Sequence, residues 1–195
     1  VETMGEQYQH YGGLKALCED AVRAAFGERC AIVRPGYIVG PGDPTDRFTS
    51  WPVRISRGGH ALVPGKPDDP IQVIDVRDLD EWQVHVVEQR VRGTFNACGP
   101  EEKLPWGDVI EACREACEAP AEVHWVPFEE LQGEGVTPLP IWAPPVGDYA
   151  GVHAVSNRAA VAKGLTFRPI ATTVAVTLDW WGTLPEERQA RLQTG

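Results

Sequence analysis

The chain has 195 residues, of which 43% are hydrophobic, and this is enough to bury a core in one large domain or two small ones. Its formal net charge of -10 argues against a nucleic-acid partner, because neutralising phosphates requires clustered cations. No apolar run approaches the roughly 18 residues of a membrane span, and residues 1–6 lack the layout of a signal peptide. We therefore expect a cytoplasmic protein with no membrane partner.

The first predicted element is a helix over residues 10–26 that carries Tyr11 and Lys15. Residues four apart share a helix face, so the Tyr11 phenol and the Lys15 ammonium can point into one pocket. A cation close to a phenol favours the phenolate, and such a tyrosine could exchange a proton with a substrate hydroxyl or carbonyl. The alternative is a chance pair on an amphipathic helix, with the ammonium reaching into water. The side of the helix that is expected to pack carries Leu14, Leu17, Ala21 and Phe26.

A short apolar run at 30–33 predicts a buried strand, and three glycines and two prolines in the following segment 34–42 predict an irregular path. A loop at the carboxyl end of a parallel strand is where α/β sheets bind ligands. The segment 34–42 is therefore a candidate binding loop, and the alternative is a plain surface turn.

A further strand is predicted at 71–75, and Asp75 at its end is placed to cap the helix that follows. The inward residues of that helix are expected to be Leu79, Trp82, Val86 and Val87. Asp78 lies three residues after Asp75, so we interpret both aspartates as caps and helix-dipole partners rather than catalytic acids.

The rest of the chain alternates strands with helices. Strands are predicted at 61–63, 94–98 and 122–126, and helices at 106–117, 172–181 and 185–192, with a short helix capped by Ser156 and ending at Gly164. The segment 138–148, with four prolines and a glycine, is predicted to be a loop that wraps the surface or covers a site. This alternation predicts an α/β fold with parallel strands.

Five segments stand in an informative order: Tyr11-x-x-x-Lys15, 33–42, 73–78, Gly93-Thr94-Phe95-Asn96 with Gly99, and 156–169. Together they resemble the C-terminal half of the extended short-chain dehydrogenases/reductases, the group that contains the NAD-dependent epimerases and dehydratases. The resemblance covers nearly the whole chain and implies the second half of a Rossmann-like parallel sheet. It implies that residues 1–100 belong to the dinucleotide-binding domain, with a substrate-facing insertion at 43–70, and that residues 101–195 form a small α/β substrate-binding region.

The same resemblance implies roles for individual residues. Tyr11 would be the catalytic acid/base, and Lys15 would support its ionisation and hold the nicotinamide ribose. The cofactor, NAD or NADP, would contact Tyr11, Lys15, Pro35, Gly36, Tyr37 and Ile38. The substrate-facing residues would be Asp46, Arg47 and Phe48. The helix that carries the tyrosine would also form a homodimer interface.

The chain departs from the family pattern in the part that holds the cofactor and performs the chemistry, and in the part that faces the substrate. It has no glycine-rich strand–turn–helix to hold a pyrophosphate, and no serine or threonine is identified beside the tyrosine. We therefore expect an N-terminal half of the same protein upstream of Val1. Ile71, preceded by Asp68 and Asp69, stands where related nucleotide-sugar enzymes carry a phosphate-binding arginine. This favours a smaller carbonyl or hydroxyl compound over a nucleotide sugar.

The sequence therefore predicts an NAD(P)-dependent oxidoreductase or epimerase-type enzyme. The alternative is a non-catalytic binding or regulatory module that kept the fold and lost the cofactor half. A metal hydrolase is a third reading with little support, since the histidines are dispersed with no pair at ligand spacing: His10, His60, His85, His124 and His153. No metal site is expected. Cys113 and Cys117 are interpreted as buried, reduced thiols rather than a metal or redox pair.

Overall fold

The computed structural model describes residues 10–135 and 140–192. Its helices are α1 (Tyr11–Phe26), α2 (Ser50–Ser56), α3 (Val76–Glu88), α4 (Trp106–Glu115), α5 (Phe128–Gly133), α6 (Arg158–Val161), α7 (Ile170–Gly182) and α8 (Glu186–Ala190). Its strands are β1 (Ala31–Pro35), β2 (Tyr37–Val39), β3 (His60–Pro64), β4 (Pro70–Asp75), β5 (Gly93–Ala97), β6 (Gly99–Pro105) and β7 (Glu122–Val126). The predicted α/β fold with parallel strands is confirmed. Among the described residues, no helix combines the length and apolar character needed to cross a bilayer.

The strands form three small sheets. β1 pairs with β5 and β3 with β7, both in parallel, while β4 lies between β2 (parallel) and β6 (antiparallel). Only Gly36 separates β1 from β2, and only Cys98 separates β5 from β6. At each of these two residues the polypeptide leaves the β1–β5 sheet and joins the sheet of β2, β4 and β6. The two residues touch, because a Cβ on Gly36 would stand 3.0 Å from the Cβ of Cys98. This close approach lets the strand ends meet at the candidate binding segment.

Two apolar clusters hold the elements together. The larger joins α2, α4 and α7 around Trp106 and Phe48, which have no exposed surface. The smaller packs α3 against β4 and β5, and its Trp82 ring meets the Phe95 ring edge to face at 5.7 Å. Because α3 lies on β5, the second cluster fixes the sheet that leads into the Gly36–Cys98 contact.

The predicted cap at Asp75 is confirmed. Its carboxylate accepts hydrogen bonds from the Arg77 backbone N–H at 2.9 Å and from the Thr173 hydroxyl at 2.7 Å. The Arg77 guanidinium also donates to it at 2.6 Å. Burial by itself would raise the pKa of Asp75, but these bonds outweigh it and the pKa is lowered. Asp78 is held by the backbone N–H of Arg168 at 2.8 Å, and burial raises its pKa. Both aspartates are structural, as predicted.

Other details differ from the predictions. Val87 is 76% exposed and not inward, because the inward positions of α3 follow the 79, 82, 86 spacing and Val87 lies further round the helix. Residues 37–39 of the predicted irregular segment form a strand, since β4 offers them a parallel partner. The polar edge strand β6 and the helix α2 were not predicted. Asn157, rather than Ser156, precedes the short helix α6.

The predicted loop at 138–148 has no regular secondary structure over its described part up to residue 146, and residues 138 and 139 lie outside the described residues. The loop is anchored by Trp142, which is 3% exposed and donates its indole N–H to the Asp69 carboxylate at 3.2 Å. Asp69 also accepts the backbone N–H of Lys66 at 2.9 Å. Asp69 therefore ties this loop to the turn before β4 and is not a free surface charge.

Candidate functional site

Tyr11 and Lys15 line one groove, which runs between α1 and β1. Glu19 of α1 and Arg34 and Pro35 of β1 also line it, and its volume is about 620 Å³. The one-turn spacing predicted from the sequence therefore brings the phenol and the ammonium to the same opening. Tyr11 is the first residue of α1, so its side chain stands at the end of the groove that is nearest the helix start.

An ion pair fastens α1 to β1 beside these residues. The Arg34 guanidinium donates twice to the Glu19 carboxylate, with both N–O distances 2.6 Å. Arg23 adds a bond to Glu19 at 3.0 Å and reaches the Thr94 hydroxyl of β5 at 3.3 Å. The bond from Arg34 is the main reason that the pKa of Glu19 is lowered from 4.5 to about 2. Polar contacts therefore help to set the position of the helix that carries Tyr11.

A second opening of about 390 Å³ adjoins the first, and the two share Arg34 and Pro35. Gly36 and Tyr37 line it from the predicted binding segment. Its other lining residues are Gln72, Asn96, Cys98, Val152 and Val155. Ile38 lines neither opening and is 46% exposed. Three of the four predicted cofactor contacts on this segment, Pro35, Gly36 and Tyr37, therefore border an opening that adjoins the Tyr11 groove.

Val152 and Val155 of the segment 152–157 line the second opening, and the sequence did not identify either of them as a site residue. The Gln72 amide pairs with the Val155 backbone in both directions, at 2.9 Å each. The buried Asn157 amide donates to the carbonyls of Cys98 and Pro100 at 2.8 and 2.9 Å. The C-terminal region thus forms one side of the second opening through specific hydrogen bonds to β4 and to the start of β6.

A buried histidine lies behind this wall. His153 is 5% exposed, its Nδ1 accepts the backbone N–H of Gln72 at 3.0 Å, and its ring centroid is 5.9 Å from that of Tyr37. Burial lowers the pKa of His153, although the backbone of Ile141 partly opposes this. A neutral ring that accepts at Nδ1 carries its proton on Nε2. His153 therefore fixes the backbone of β4 next to Tyr37.

The three predicted substrate-facing residues fall in different surroundings. Phe48 has no exposed surface and belongs to the larger core, so we do not propose a substrate contact for it. Asp46 is buried and its carboxylate is held by the Arg188 guanidinium, with one bond at 2.6 Å. Arg47 is exposed and remains a candidate. The distinction follows from burial, which the residue types do not reveal.

Three of the four residues of α1 that were expected to pack are exposed, and Leu14 is partly buried. The helix has no buried residue, and Leu17 and Phe26 are 52% and 55% exposed. Tyr11 itself is 53% exposed. In the described structure the prediction of a packed face on α1 is therefore wrong, because α1 meets the protein through one edge only.

Two of the histidines that are dispersed in the sequence meet in the fold. Parallel pairing of β3 with β7 brings His60 Nδ1 to 2.9 Å from His124 Nε2, although the two are 64 positions apart in sequence. Glu122 lies 3.6 Å from His60 and 3.7 Å from His124. The chain order of β3 and β7 gave no signal that these strands are neighbours.

Comparisons with known proteins bear on the fold. The UDP-glucose 4-epimerase of Thermus thermophilus, solved with NAD, matches with a TM-score of 0.60 and 18% identity over 91% of this chain and 54% of its own. RMD of Pseudomonas aeruginosa, complexed with NADPH, matches with a TM-score of 0.53 and 17% identity, over 86% of this chain and 52% of its own. The NAD-dependent NDP-hexosamine 5,6-dehydratase TunA, involved in tunicamycin biosynthesis, matches with a TM-score of 0.58 and 19% identity, over 90% of this chain and 52% of its own.

A scan against protein-family models and a search of curated proteins gave no match. The chain spans about half the length of the solved structures it resembles. The order of the strands and helices, the groove beside α1 and the similarities to solved structures all agree with one fold. The chain has the Rossmann-like α/β fold of the NAD-dependent epimerases and dehydratases, over about half of the length of those proteins.

Proposed function

We propose that this chain belongs to an NAD(P)-dependent oxidoreductase or epimerase-type enzyme in which Tyr11 is the acid/base. The observation that carries the proposal is the groove lined by both Tyr11 and Lys15, which shares Arg34 and Pro35 with the opening beside Gly36 and Tyr37. The similar solved structures include complexes with NAD and with NADPH, which supports a cofactor of this class.

The second opening suits the nicotinamide end of such a cofactor. Pro35, Val152 and Val155 give it apolar walls, while Gln72 and Asn96 are polar side chains at its border. Flat heteroaromatic ligands bind sites of this composition, with a few polar groups that fix their orientation. Lys15, in the adjoining groove, would hold the ribose hydroxyls. When bound, the nicotinamide supplies or accepts a hydride at its C4.

The phosphates of the cofactor require further residues. Among the described connections, β4 runs directly into α3 and β6 into α4, and only Pro127 separates β7 from α5. The β2–α2 connection contains Gly40 and Gly42, but these glycines lie well before α2, which begins at Ser50. We therefore propose that another polypeptide segment provides the phosphate cradle, in a protein about as long as those it resembles. The same segment would pair with the two-stranded β1–β5 sheet, since a two-stranded sheet is marginal on its own.

Covering the groove would also strengthen the catalytic pair. Tyr11 is 53% exposed, so in the described structure water reaches its side chain. Two unit charges about 4 Å apart attract by about 1 kcal/mol in water and by about 4 kcal/mol in a partly covered protein site. The Lys15 charge would then favour the Tyr11 phenolate, which takes the proton of a substrate hydroxyl or, in reverse, gives one to a carbonyl oxygen.

We further propose a homodimer in which α1 packs against the same helix of a second copy. Its support is the exposed apolar surface of α1 outside the groove, where Leu17 and Phe26 are 52% and 55% exposed. Burying such side chains would stabilise the assembly by roughly 25 cal/mol for each Å² of apolar surface removed from water. The oligomeric state, measured by light scattering, tests this part separately.

The substrate we propose is a small carbonyl or hydroxyl compound. Ile71 is buried, and the neighbouring Arg77 guanidinium is taken up by Asp75 at 2.6 Å, so neither offers a free cation to a substrate diphosphate. Arg47 is the exposed residue of the predicted substrate-facing segment. Product analysis with isotopically labelled cofactor would separate a reductase from an epimerase or a dehydratase, because only the latter two return the hydride.

Cofactor binding tests the proposal directly. In the full-length protein that contains this chain, NAD or NADP at a hundredfold its dissociation constant should stabilise the fold by about 2.7 kcal/mol. Lys15→Met should weaken this stabilisation, while Lys163→Met, at an exposed lysine outside both openings, should leave it unchanged. No stabilisation by either cofactor would contradict the proposal and favour a non-catalytic binding module.

A further inference from the structure

A cluster of two histidines and a glutamate lies on the β3–β7 pair. Along these parallel strands His60 is opposite Glu122, and Leu62 is opposite His124. Side chains two apart on a strand share a face, so all four project from one side of the pair. The His60, Glu122 and His124 side chains are 72%, 68% and 44% exposed, so an ion in solvent can reach them.

From this arrangement we infer a binding site for a divalent transition metal, with Zn²⁺ as the preferred ion. Two imidazoles and a carboxylate are a recurrent zinc ligand set, and they leave a fourth position for water. Imidazole nitrogen also selects transition metals over Mg²⁺ and Ca²⁺, which prefer oxygen ligands.

The spacing of the donor atoms suits a tetrahedral ion. With Zn–N and Zn–O bonds of about 2.0 to 2.2 Å, ligand atoms on neighbouring corners lie about 3.3 to 3.6 Å apart. The observed separations are 2.9 Å between His60 Nδ1 and His124 Nε2, 3.6 Å from His60 Nδ1 to Glu122 Oε2, and 3.7 Å from His124 Nε2 to the other carboxylate oxygen, Oε1. One donor atom from each of the three residues lies within 4.8 Å of the other two, so side-chain rotations that bring a single carboxylate oxygen towards both nitrogens would complete the site.

The two rings already face each other without a metal. Their centroids are 5.1 Å apart, and the short contact between Nδ1 and Nε2 requires one nitrogen to donate and the other to accept. Metal binding would require the donating imidazole to carry its proton on its other ring nitrogen, so that both facing nitrogens offer a lone pair to the ion. The Glu122 carboxylate would offset part of the ion's charge. The cluster therefore brings two imidazole nitrogens and a carboxylate together on one side of the strand pair.

Binding should also affect stability. Within the described part of the chain, β3 and β7 pair only with each other, and the cluster lies at the start of both strands. A metal held by His60 on one strand and by Glu122 and His124 on the other would cross-link them. Any ion that binds the folded form alone raises the free energy of unfolding.

Isothermal titration of the purified protein with Zn²⁺, in a Cys18→Ser background that removes an exposed thiol, tests the inference. We expect one ion per chain, a rise in the thermal midpoint, and a visible absorption spectrum of tetrahedral Co²⁺ when cobalt replaces zinc. His60→Gln and His124→Gln should each weaken binding by at least about tenfold. His85→Gln, on α3, is the matched control and should bind as the parent does.

All three ligands are at the surface, so the variants should fold, and their thermal midpoints without metal should equal that of the parent. If a histidine variant does not fold, Glu122→Gln provides the same test. The inference is overturned if the parent takes up no Zn²⁺ at micromolar concentrations. It is equally overturned if the ligand variants and His85→Gln bind the ion with the same affinity. None of these results depends on cofactor binding or on Tyr11.

Discussion

Replacing Asn157 tests the wall of the second opening. Its amide donates to the Cys98 carbonyl at 2.8 Å and to the Pro100 carbonyl at 2.9 Å, and the residue is 5% exposed. A hydrogen bond contributes about 0.5 to 1.5 kcal/mol net, and a buried acceptor left without a donor costs about 1 to 3 kcal/mol. Asn157→Ala removes both donors, so we expect the free energy of unfolding to fall by about 2 to 3 kcal/mol. Asn157→Asp should cost more, because a carboxylate would face two carbonyl oxygens.

Urea unfolding measures this change, which should lower the transition midpoint without altering the slope. Asn96→Ala is the matched control: its amide also binds a backbone carbonyl, that of Ser156 at 3.0 Å, but in an exposed bond. A solvent-exposed bond is replaced by water, so we expect a loss below about 1 kcal/mol for the control. Equal losses for Asn157→Ala and Asn96→Ala would refute the claim that the Asn157 bonds hold the segment in place.

Three further predictions concern other parts of the fold. The pKa of Glu19 is lowered from 4.5 to about 2. Its ion pair with Arg34 therefore contributes fully to the stability of the fold above pH 4.5, and this contribution is lost as the pH falls through 2. The stability difference between the wild type and Glu19→Gln should therefore shrink over that window in denaturation measured across pH, and a constant difference would contradict it. Gly65→Ala should lower the free energy of unfolding by about 2 to 4 kcal/mol, because its new Cβ would stand 2.3 Å from the Asp69 side chain and 2.4 Å from that of Trp142, at a φ of +78°. Gly59→Ala, at a φ of +70° in open space, should lower it by only about 1 kcal/mol. Equal unfolding midpoints for the two variants would refute this prediction. Brief treatment of the native protein with iodoacetamide should alkylate the exposed Cys18 and leave Cys113 unmodified, because burial raises the pKa of the Cys113 thiol. Mass spectrometry would measure both reactions. Rapid labelling of Cys113 would contradict its burial.

Local chemistry made part of the structure predictable. The spacing of Tyr11 and Lys15 is enough to place both on one helix face, and the groove contains both. Asp75 was predictable as a cap because its carboxylate can reach the N–H groups of the next turn. These features depend on residues within a few positions of one another, where helix geometry fixes which side chains meet.

Features that depend on distant pairing were not predictable. His60 and His124 meet only because β3 and β7 are neighbours, and nothing in either strand specifies its partner. The strand β6 was missed because its middle residues are polar and exposed, so it lacks the alternation of a half-buried strand. Phe48 and Arg47 are adjacent in sequence, yet one is in the core and the other is exposed. Tertiary packing, rather than residue type, decides these cases.

The turnover of a Tyr11→Phe variant tests the central claim most directly. The change removes one hydroxyl at a side chain that is 53% exposed, and Tyr149→Phe makes the same change at a tyrosine that is 55% exposed and lines neither opening. In the full-length protein with bound cofactor, we predict that Tyr11→Phe lowers kcat by about 10² to 10⁴ with an unchanged thermal midpoint, while Tyr149→Phe keeps the parent rate. A Tyr11→Phe enzyme that turns over as fast as the Tyr149→Phe control would contradict the account.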